Sequence, residues 1–590
     1  MPEQEEDSLF NATRVWVSLI TLLVAYLIYG RISGRDSWQK YEVPQGKIGL
    51  NLAESVDDLL KDGVDTIGVH LGSMMLITCD LHLLREILVK KFNNFTDRSN
   101  IVRTRSLITR GLAFLEGSNW KRMRHILSPF FSTSRMKRMS PCIDASAQKL
   151  AEVLETCAKE DRLLEAKHTL GQYTSGIIAR TGFGLATDCL GESDNEFTWH
   201  CKNLVKVRTA TSRVIQMILF RIPRLHRFCL QKLKLDFLDS VNSKSDEYFN
   251  KVLQASIHER LEVEKSDAKK PGDFLQGLVS AHLASEQPNA SKSISKSDVI
   301  GHSLLILFAA FDTTSTTLQL CLALLAMHPD IQERVYREIM EVISIGDRDR
   351  KIGDGESNKP QPGLNHEQLQ QLHYTQRVIE ETLRLYPPAT FISRKANRTT
   401  TINLFSAHTD TPHEDPESSY RQQCSTVVKG VNPKNTSFGI KNKDLDNSSA
   451  QAQPTDATIN ASREKQCSGS ITVPEGAFIL IPVAKIHRDP RHYSDPEKFD
   501  PDRFLPEKKA IRDPLAFLPF GQGPRQCIGM RMAYLEIKTA LVYVLRKVRF
   551  EVNDITEPVA GGKISYTATG VLVLDKPIKL AVKLRRPSTL

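Results

Sequence analysis

Near the C-terminus a single cysteine, Cys527, sits in a run of turn residues, Leu518-Pro519-Phe520-Gly521-Gln522-Gly523-Pro524-Arg525-Gln526-Cys527-Ile528-Gly529. An apolar amphipathic run from Met530 to Leu545 follows and predicts a helix. A cysteine at the start of a helix lies at the positive end of its dipole, which favours the thiolate, the form that binds a soft metal. No Cys-x-x-Cys and no neighbouring histidine offers a further ligand. A lone cysteine of this kind suits a metal whose other positions are filled by a porphyrin or similar group. A buried structural cysteine in a Gly/Pro turn is the competing reading.

Three further patterns could do chemistry. Phe308-Ala309-Ala310-Phe311-Asp312-Thr313-Thr314 puts an acid beside a hydroxyl inside an apolar run, which is costly unless the acid is paired or used. A mid-helix Thr can bond back to the carbonyl one turn earlier and bend or widen the helix. Glu381-Thr382-Leu383-Arg384 places opposite charges three apart, on one helix face, ahead of the stop Pro387-Pro388. Trp120 and Arg124, four apart in Trp-Lys-Arg-Met-Arg, share a face too. Taken singly, each reads equally well as ordinary packing.

These residues need elements to hold them. Amphipathic helices with polar breaks fill most of the chain up to Pro388, including one long helix from about Asp298 to Met327. Leu52, Val56, Leu59 and Leu60 predict a short helix closed by Gly63. Thr66–Leu71 and Met74–Cys79, split by Gly72-Ser73, predict a β-hairpin. The fold class is therefore mainly α with small β-sheets. From about Leu404 to Gly469 the chain turns rich in Ser, Thr, Asn, Gln, Asp and Lys, too polar to offset its ordering entropy. It reads as a disordered insertion, 404–469, within a hairpin that resumes at Ile471; an erroneous gene prediction is the alternative.

The 590 residues allow two or three domains or one large catalytic unit with additions. A net charge of +10 points to acidic partners; with no recognisable nucleic-acid motif, an acidic membrane face or acidic protein fits better. The ten cysteines lack paired spacing, as in a reducing compartment. An apolar run from Val15 to Tyr29 lies between Arg14 and Arg31, and Arg31, Arg35 and Lys40 follow it. The start is acidic and no small residues mark a cut, so an uncleaved anchor is expected rather than a signal peptide. The expected layout is a lumenal tail 1–14, a transmembrane anchor 15–30, a linker 31–45 and a catalytic domain 46–590.

Phe520-x-x-Gly523-x-Arg525-x-Cys527-x-Gly529 resembles the cysteine-ligand loop of the cytochrome P-450 family, the haem-thiolate monooxygenases. Pro496-x-x-Phe499-x-Pro501-x-Arg503-Phe504 stands at the family's distance ahead of it. The resemblance covers about residues 46 to 590 apart from the insertion. Phe95-Thr96-Asp97-Arg98 and Leu127-Ser128-Pro129-Phe130 look most like the animal branch of microsomal drug- and steroid-oxidising enzymes and thromboxane synthase.

This resemblance implies haem b between a long central helix and the cysteine loop, with Cys527 on the iron. It implies that Phe520 shields the sulfur, Gly523 permits the turn, and Gly529 lets the next helix approach the ring. Trp120, Arg124, Arg394 and Arg525 would hold the propionates. Asp312 would relay protons and Thr313 would steady dioxygen in a helix notch; the family commonly has Gly where this chain has Ala310. Glu381, Arg384 and Arg503 would form a bracing triad. The basic cluster Lys121, Arg122, Arg135, Lys137 and Arg138 would dock an acidic reductase. The run Val214–Pro223 would lie in the family's F–G region, at the membrane interface. Leu107, Ile108, Phe114, Phe308, Phe311, Thr390, Phe391, Ile392 and the hairpin Thr567–Leu574 would line an apolar pocket.

The function implied is oxygen insertion into a lipophilic small molecule (a xenobiotic, steroid or fatty acid). Electrons would come from NADPH through NADPH-cytochrome P-450 reductase, with cytochrome b5 as an optional second donor, at the endoplasmic reticulum membrane. A lipid-peroxide isomerase of the thromboxane-synthase kind is the nearest alternative. A non-catalytic haem carrier or sensor is an alternative of another class.

Overall fold

The computed structural model describes residues 38, 41, 43–45, 52–60, 63–70, 73–98, 104–190, 195–205, 228, 230–232, 239–265, 272–285, 294–353, 364–403, 470–568 and 570–585. The tail 1–14, the anchor 15–30, the run 214–223 and the insertion 404–469 lie outside the described residues, as does most of the linker 31–45.

Six helices position the site: α1 (Gly117–Leu127), α2 (Thr133–Lys159), α3 (Ala166–Phe183), α4 (Lys296–Met327), α5 (His373–Leu385) and α6 (Met530–Lys547). Helix α4 starts at a reciprocal cap, in which the Ser295 side chain accepts from the Asp298 amide and the Asp298 side chain accepts from the Ser295 amide. It ends at His328, ahead of Pro329. From Thr314 to Ala326 every residue is buried, as expected of a helix wrapped by others. Among the described residues α4 is the one helix long and apolar enough to cross a membrane; 67% of its most apolar window is buried in protein, which marks a core helix. Helix α3, nearly as buried, lies against it and closes on Gly184 in the left-handed region, φ 66°.

A four-stranded sheet flanks the helices, in the order β1 (Thr66–His70), β2 (Met74–Thr78), β4 (Phe478–Pro482), β3 (Phe391–Lys395). β1 and β2 form the predicted hairpin, with Thr66 opposite Thr78. β2 runs parallel to β4, and β4 antiparallel to β3, with Arg394 opposite Ile479. Trp38 packs onto this sheet fully buried, its indole N–H donating to Val69 O at 3.0 Å. Gly68 makes room for it, because a Cβ there would sit 2.3 Å from Trp38 Cγ. The predicted C-terminal hairpin is Tyr566–Ala568 paired with Leu572–Leu574.

A second unit, Thr401–Thr472, is described at its two ends. There the strands Thr400–Asn403 and Ser470–Val473 pair, with the hydroxyls of Thr401 and Thr472 2.9 Å apart.

Candidate active site

Cys527 lies in the loop, three residues before α6 rather than on its first turn. Its amide donates to Phe520 O at 2.9 Å, which closes the turn. Gly523 is needed for that closure: it takes φ +77°, and a Cβ would fall 2.1 Å from Leu88 O. Leu88 belongs to a π-helical turn, Glu86–Lys90, whose widened backbone comes up against the loop. The Phe520 ring packs on Tyr534 of α6, centroids 5.3 Å apart.

The sulfur is in an unusual place. Cys527 is exposed to a water-sized probe, yet burial is the largest influence on its thiol and pushes the pKa up. The amides of Gly529 and Met530, then Arg98 and Arg124, pull in the opposite direction. Burial therefore outweighs the helix-end effect expected from sequence, and a cationic metal would supply the remaining charge needed for a thiolate.

Four guanidinium groups surround the loop. Arg394 on β3 is 1% exposed; its Nη1 donates to Ser393 O at 2.8 Å and its Nε has no partner. Burial, then Arg98, then Arg525 drive its pKa well down. Arg525 donates to the carbonyls of Thr96 (2.8 Å), Leu112 (3.4 Å) and Leu115 (2.6 Å) and stacks 4.3 Å above Trp120. Burial, with Arg98 next, brings its pKa down to about 9. Arg124 on α1 donates to Gln526 O at 3.0 Å, and Arg98 to Arg525 O at 3.1 Å. Cations so crowded repel one another and call for an anion, and two carboxylates on one flat ring meet that need. A Cβ on Gly529 would touch only Phe131, at 4.0 Å, which leaves the start of α6 open to such a ring. The residues present thus fit a haem bearing two propionates.

Behind the loop, Glu381 and Arg384 form a bidentate pair of 2.7 and 2.8 Å, both side chains 0% exposed. Arg503 Nε lies 3.4 Å from Glu381 Oε1, and the Asp500 amide donates to the same oxygen. Arg384 also donates to the carbonyls of His487, Pro496 and Lys498, so one guanidinium ties α5 to three points of the segment leading to Cys527.

On α4, Ala309 and Thr313 are exposed in mid-helix and lie one turn apart on one face. Thr313 Oγ1 donates back to Ala309 O at 2.7 Å. The helix nonetheless stays α-helical here, without the expected widening. Asp312 pairs with Lys167 of α3 at 2.5 Å, both side chains partly exposed (32% and 38%). Two more contacts hold this turn to α3: Thr174 Oγ1 donates to Phe311 O at 3.3 Å, and the Phe311 ring lies against Gly171, 3.4 Å from where its Cβ would be.

Phe311 is therefore not a pocket residue. It faces away from the Ala309–Thr313 face, as two residues' separation on a helix requires. Phe391 takes the opposite face of β3 from Ile392. Strand side chains alternate, so Ile392 and Arg394 share the face toward the loop, with Ile392 Cδ1 3.7 Å from the Cβ position of Gly521. Phe391, with Thr390 and Thr567, lines a cavity of about 850 Å³ together with Val56, Asp65, Arg488 and Tyr566. Sequence reasoning missed Arg98, Lys167, His487 and Tyr493 as members of the site. The only signal for Arg98 was its place in Phe95-Thr96-Asp97-Arg98, read there as a family phrase without a role.

A family model described as Cytochrome P-450 matches residues 41–411 and 458–582. The chain is similar to cytochrome P-450 3A41 of Mus musculus, 27% identical over 519 residues that cover 88% of this chain and 84% of that protein. It is 26% identical to cytochrome P-450 3A29 of Sus scrofa over 585 residues, 97% of each. Probable cytochrome P-450 6a14 of Drosophila melanogaster is 28% identical over 509 residues, 84% of this chain and 82% of its own length.

Proposed function

The chain belongs to the cytochrome P-450 family of monooxygenases, and from that premise we propose that it inserts one oxygen atom into a lipophilic small molecule such as a xenobiotic, steroid or fatty acid. Electrons come from NADPH through a flavoprotein reductase that docks on the basic surface of α1 and α2, with cytochrome b5 as a second donor. An anchor at 15–30 holds the enzyme on the cytoplasmic face of the endoplasmic reticulum. One observation carries the reading: Cys527 lies in a loop beside Arg98, Arg124 and Arg525, with the buried Arg394 guanidinium, whose Nε has no partner, held down in pKa by Arg98 and Arg525.

Haem b bound there supplies the oxygen chemistry, and a thiolate ligand favours cleavage of the O–O bond. The protein residues do the rest. Cys527 would hold the iron; Arg98, Arg124, Arg394, Arg525 and the Trp120 indole would hold the propionates. Phe520 and Tyr534 keep water from the sulfur side. Asp312, partly exposed, would pass protons inward from the surface, and Thr313 would offer a hydroxyl on the face it shares with Ala309.

The test is the spectrum of the reduced, carbon-monoxide-bound protein. Wild type is expected to show the strongly red-shifted Soret band of a thiolate-ligated haem, and Cys527→Ser to lose it while keeping the same helix content by circular dichroism. A wild-type protein without that band after haem reconstitution would sink the proposal.

A peroxide isomerase is the second reading, favoured by one observation: the Asp312 carboxylate is engaged by Lys167, and isomerisation needs no proton delivery. Product formation from a lipid peroxide without NADPH would select it.

A further inference from the structure

The strap that leads into the cysteine loop is tied down at alternate residues. Tyr493 Oη donates to Ala516 O at 3.0 Å, and the Leu518 amide donates to His487 Nε2 at 2.7 Å. A backbone N–H can only donate, so Nε2 must carry the lone pair. The ring proton then sits on Nδ1, 3.1 Å from Arg384 O, which can only accept. Two partners thus fix one neutral tautomer. The ring is 0% exposed and stacks on Phe517, centroids 5.3 Å apart and planes 24° apart.

Each end of this imidazole belongs to a different part of the machinery. Arg384 is the guanidinium of the buried triad, and it donates in turn to His487 O at 2.9 Å. Leu518 O accepts from the Gly521 amide at 3.0 Å, and Phe520 O accepts from the Cys527 amide at 2.9 Å. A shift of Leu518 is therefore passed across two short turns to the residue that carries the sulfur.

We propose that His487 is a positioning residue for Cys527, holding the loop through the Leu518 amide as a neutral imidazole and releasing it when protonated. This rests on the reading of Cys527 as the iron ligand. An imidazolium would set N–H against N–H at Leu518 and place a third cation beside Arg384 of α5, with Glu381 behind it, and Arg488 of its own turn. Burial, and then these two arginines, hold the pKa down to about 3. The unfolded-state value is about 6.5, so the neutral form contributes fully above that pH, and the contribution is lost as pH falls from there toward 3.

The experiment uses the full haem-loaded chain, His487→Leu and His487→Gln, with two readouts. The first is the hydrogen-exchange protection of the Leu518 amide. The second is the Soret band of the reduced carbon-monoxide complex, recorded against pH. His487→Leu is expected to lower Leu518 protection by roughly an order of magnitude, the worth of one buried hydrogen bond. It should also move part of the Soret intensity off the thiolate position, with helix content unchanged. Glutamine can accept with Oε1 and donate with Nε2 but does not titrate in this range. His487→Gln should therefore keep both signals at neutral pH and hold the thiolate band to lower pH than wild type. Unaltered protection and band in His487→Leu would overturn the proposal. Should that variant fail to fold, an acid profile of His487→Gln identical to wild type would overturn it instead. If Cys527→Ser leaves the band in place, the iron-ligand reading falls, while Leu518 protection still reports on the His487 bond.

Discussion

Glu381 and Arg384, on the cysteine side, have no access to water, whereas Asp312 and Lys167, on the acid–alcohol side, are each about a third exposed. The first pair sits in a lattice in which Arg384, Arg503, His487 and Tyr493 are joined by short bonds to backbone carbonyls or amides. The second is two side chains on neighbouring helices, screened by solvent. A buried charge that loses its partner stays buried and uncompensated, while a half-exposed one finds water. The loop side is thus held by bonds that are costly to break, and the acid side can exchange partners at small cost. That would suit the roles proposed above for Cys527 and Asp312.

The sharpest way to break this contrast is Glu381→Ala, which strands two guanidinium groups in the core. Stability should fall by about 3–5 kcal/mol in denaturant unfolding, with loss of bound haem. A loss under about 1 kcal/mol would mean that the lattice is not what holds the loop. Gly523→Ala comes next. Its new methyl would meet Leu88 O in a backbone conformation that alanine resists, so about 1–3 kcal/mol should go, read by thermal unfolding. The smallest stability effect belongs to Lys167→Met, at most about 1 kcal/mol for so exposed a pair. Its signature is functional: the ratio of product formed to NADPH consumed should change while the melting temperature does not. Asp312→Asn, run alongside, should lower that ratio if the acid relays protons. A Lys167→Met that destabilises as much as Glu381→Ala would erase the distinction between the two sides.

The parts of the site legible in the sequence are those whose partners are close along the chain or forced by residue type. The glycines around Cys527, the three-residue spacing of Glu381 and Arg384, and the acid–hydroxyl pair in an apolar run all announce themselves. What stayed hidden joins distant positions. Arg98 meets Arg525 across 427 residues, Lys167 meets Asp312 across 145, and His487 reaches Leu518 across 31. No local pattern marks such meetings, because they depend on how helices and loops dock. Phe311 failed for a subtler reason. Ala309 and Thr313, two residues to either side, are exposed on another face, while the helical period turns Phe311 toward Gly171. The helical body, the hairpins and the family were readable because periodicity and turn residues carry them.

Trp38 bears on how the enzyme would sit at a membrane if residues 15–30 anchor it as proposed. With its indole seated over Gly68, the folded body takes hold of the chain at residue 38. From Arg31, just past the proposed anchor, only seven steps remain, at most about 25 Å fully stretched. With the proposed anchor in a membrane, the sheet surface that holds Trp38 would stay within that distance of it, whatever the conformation of the chain between.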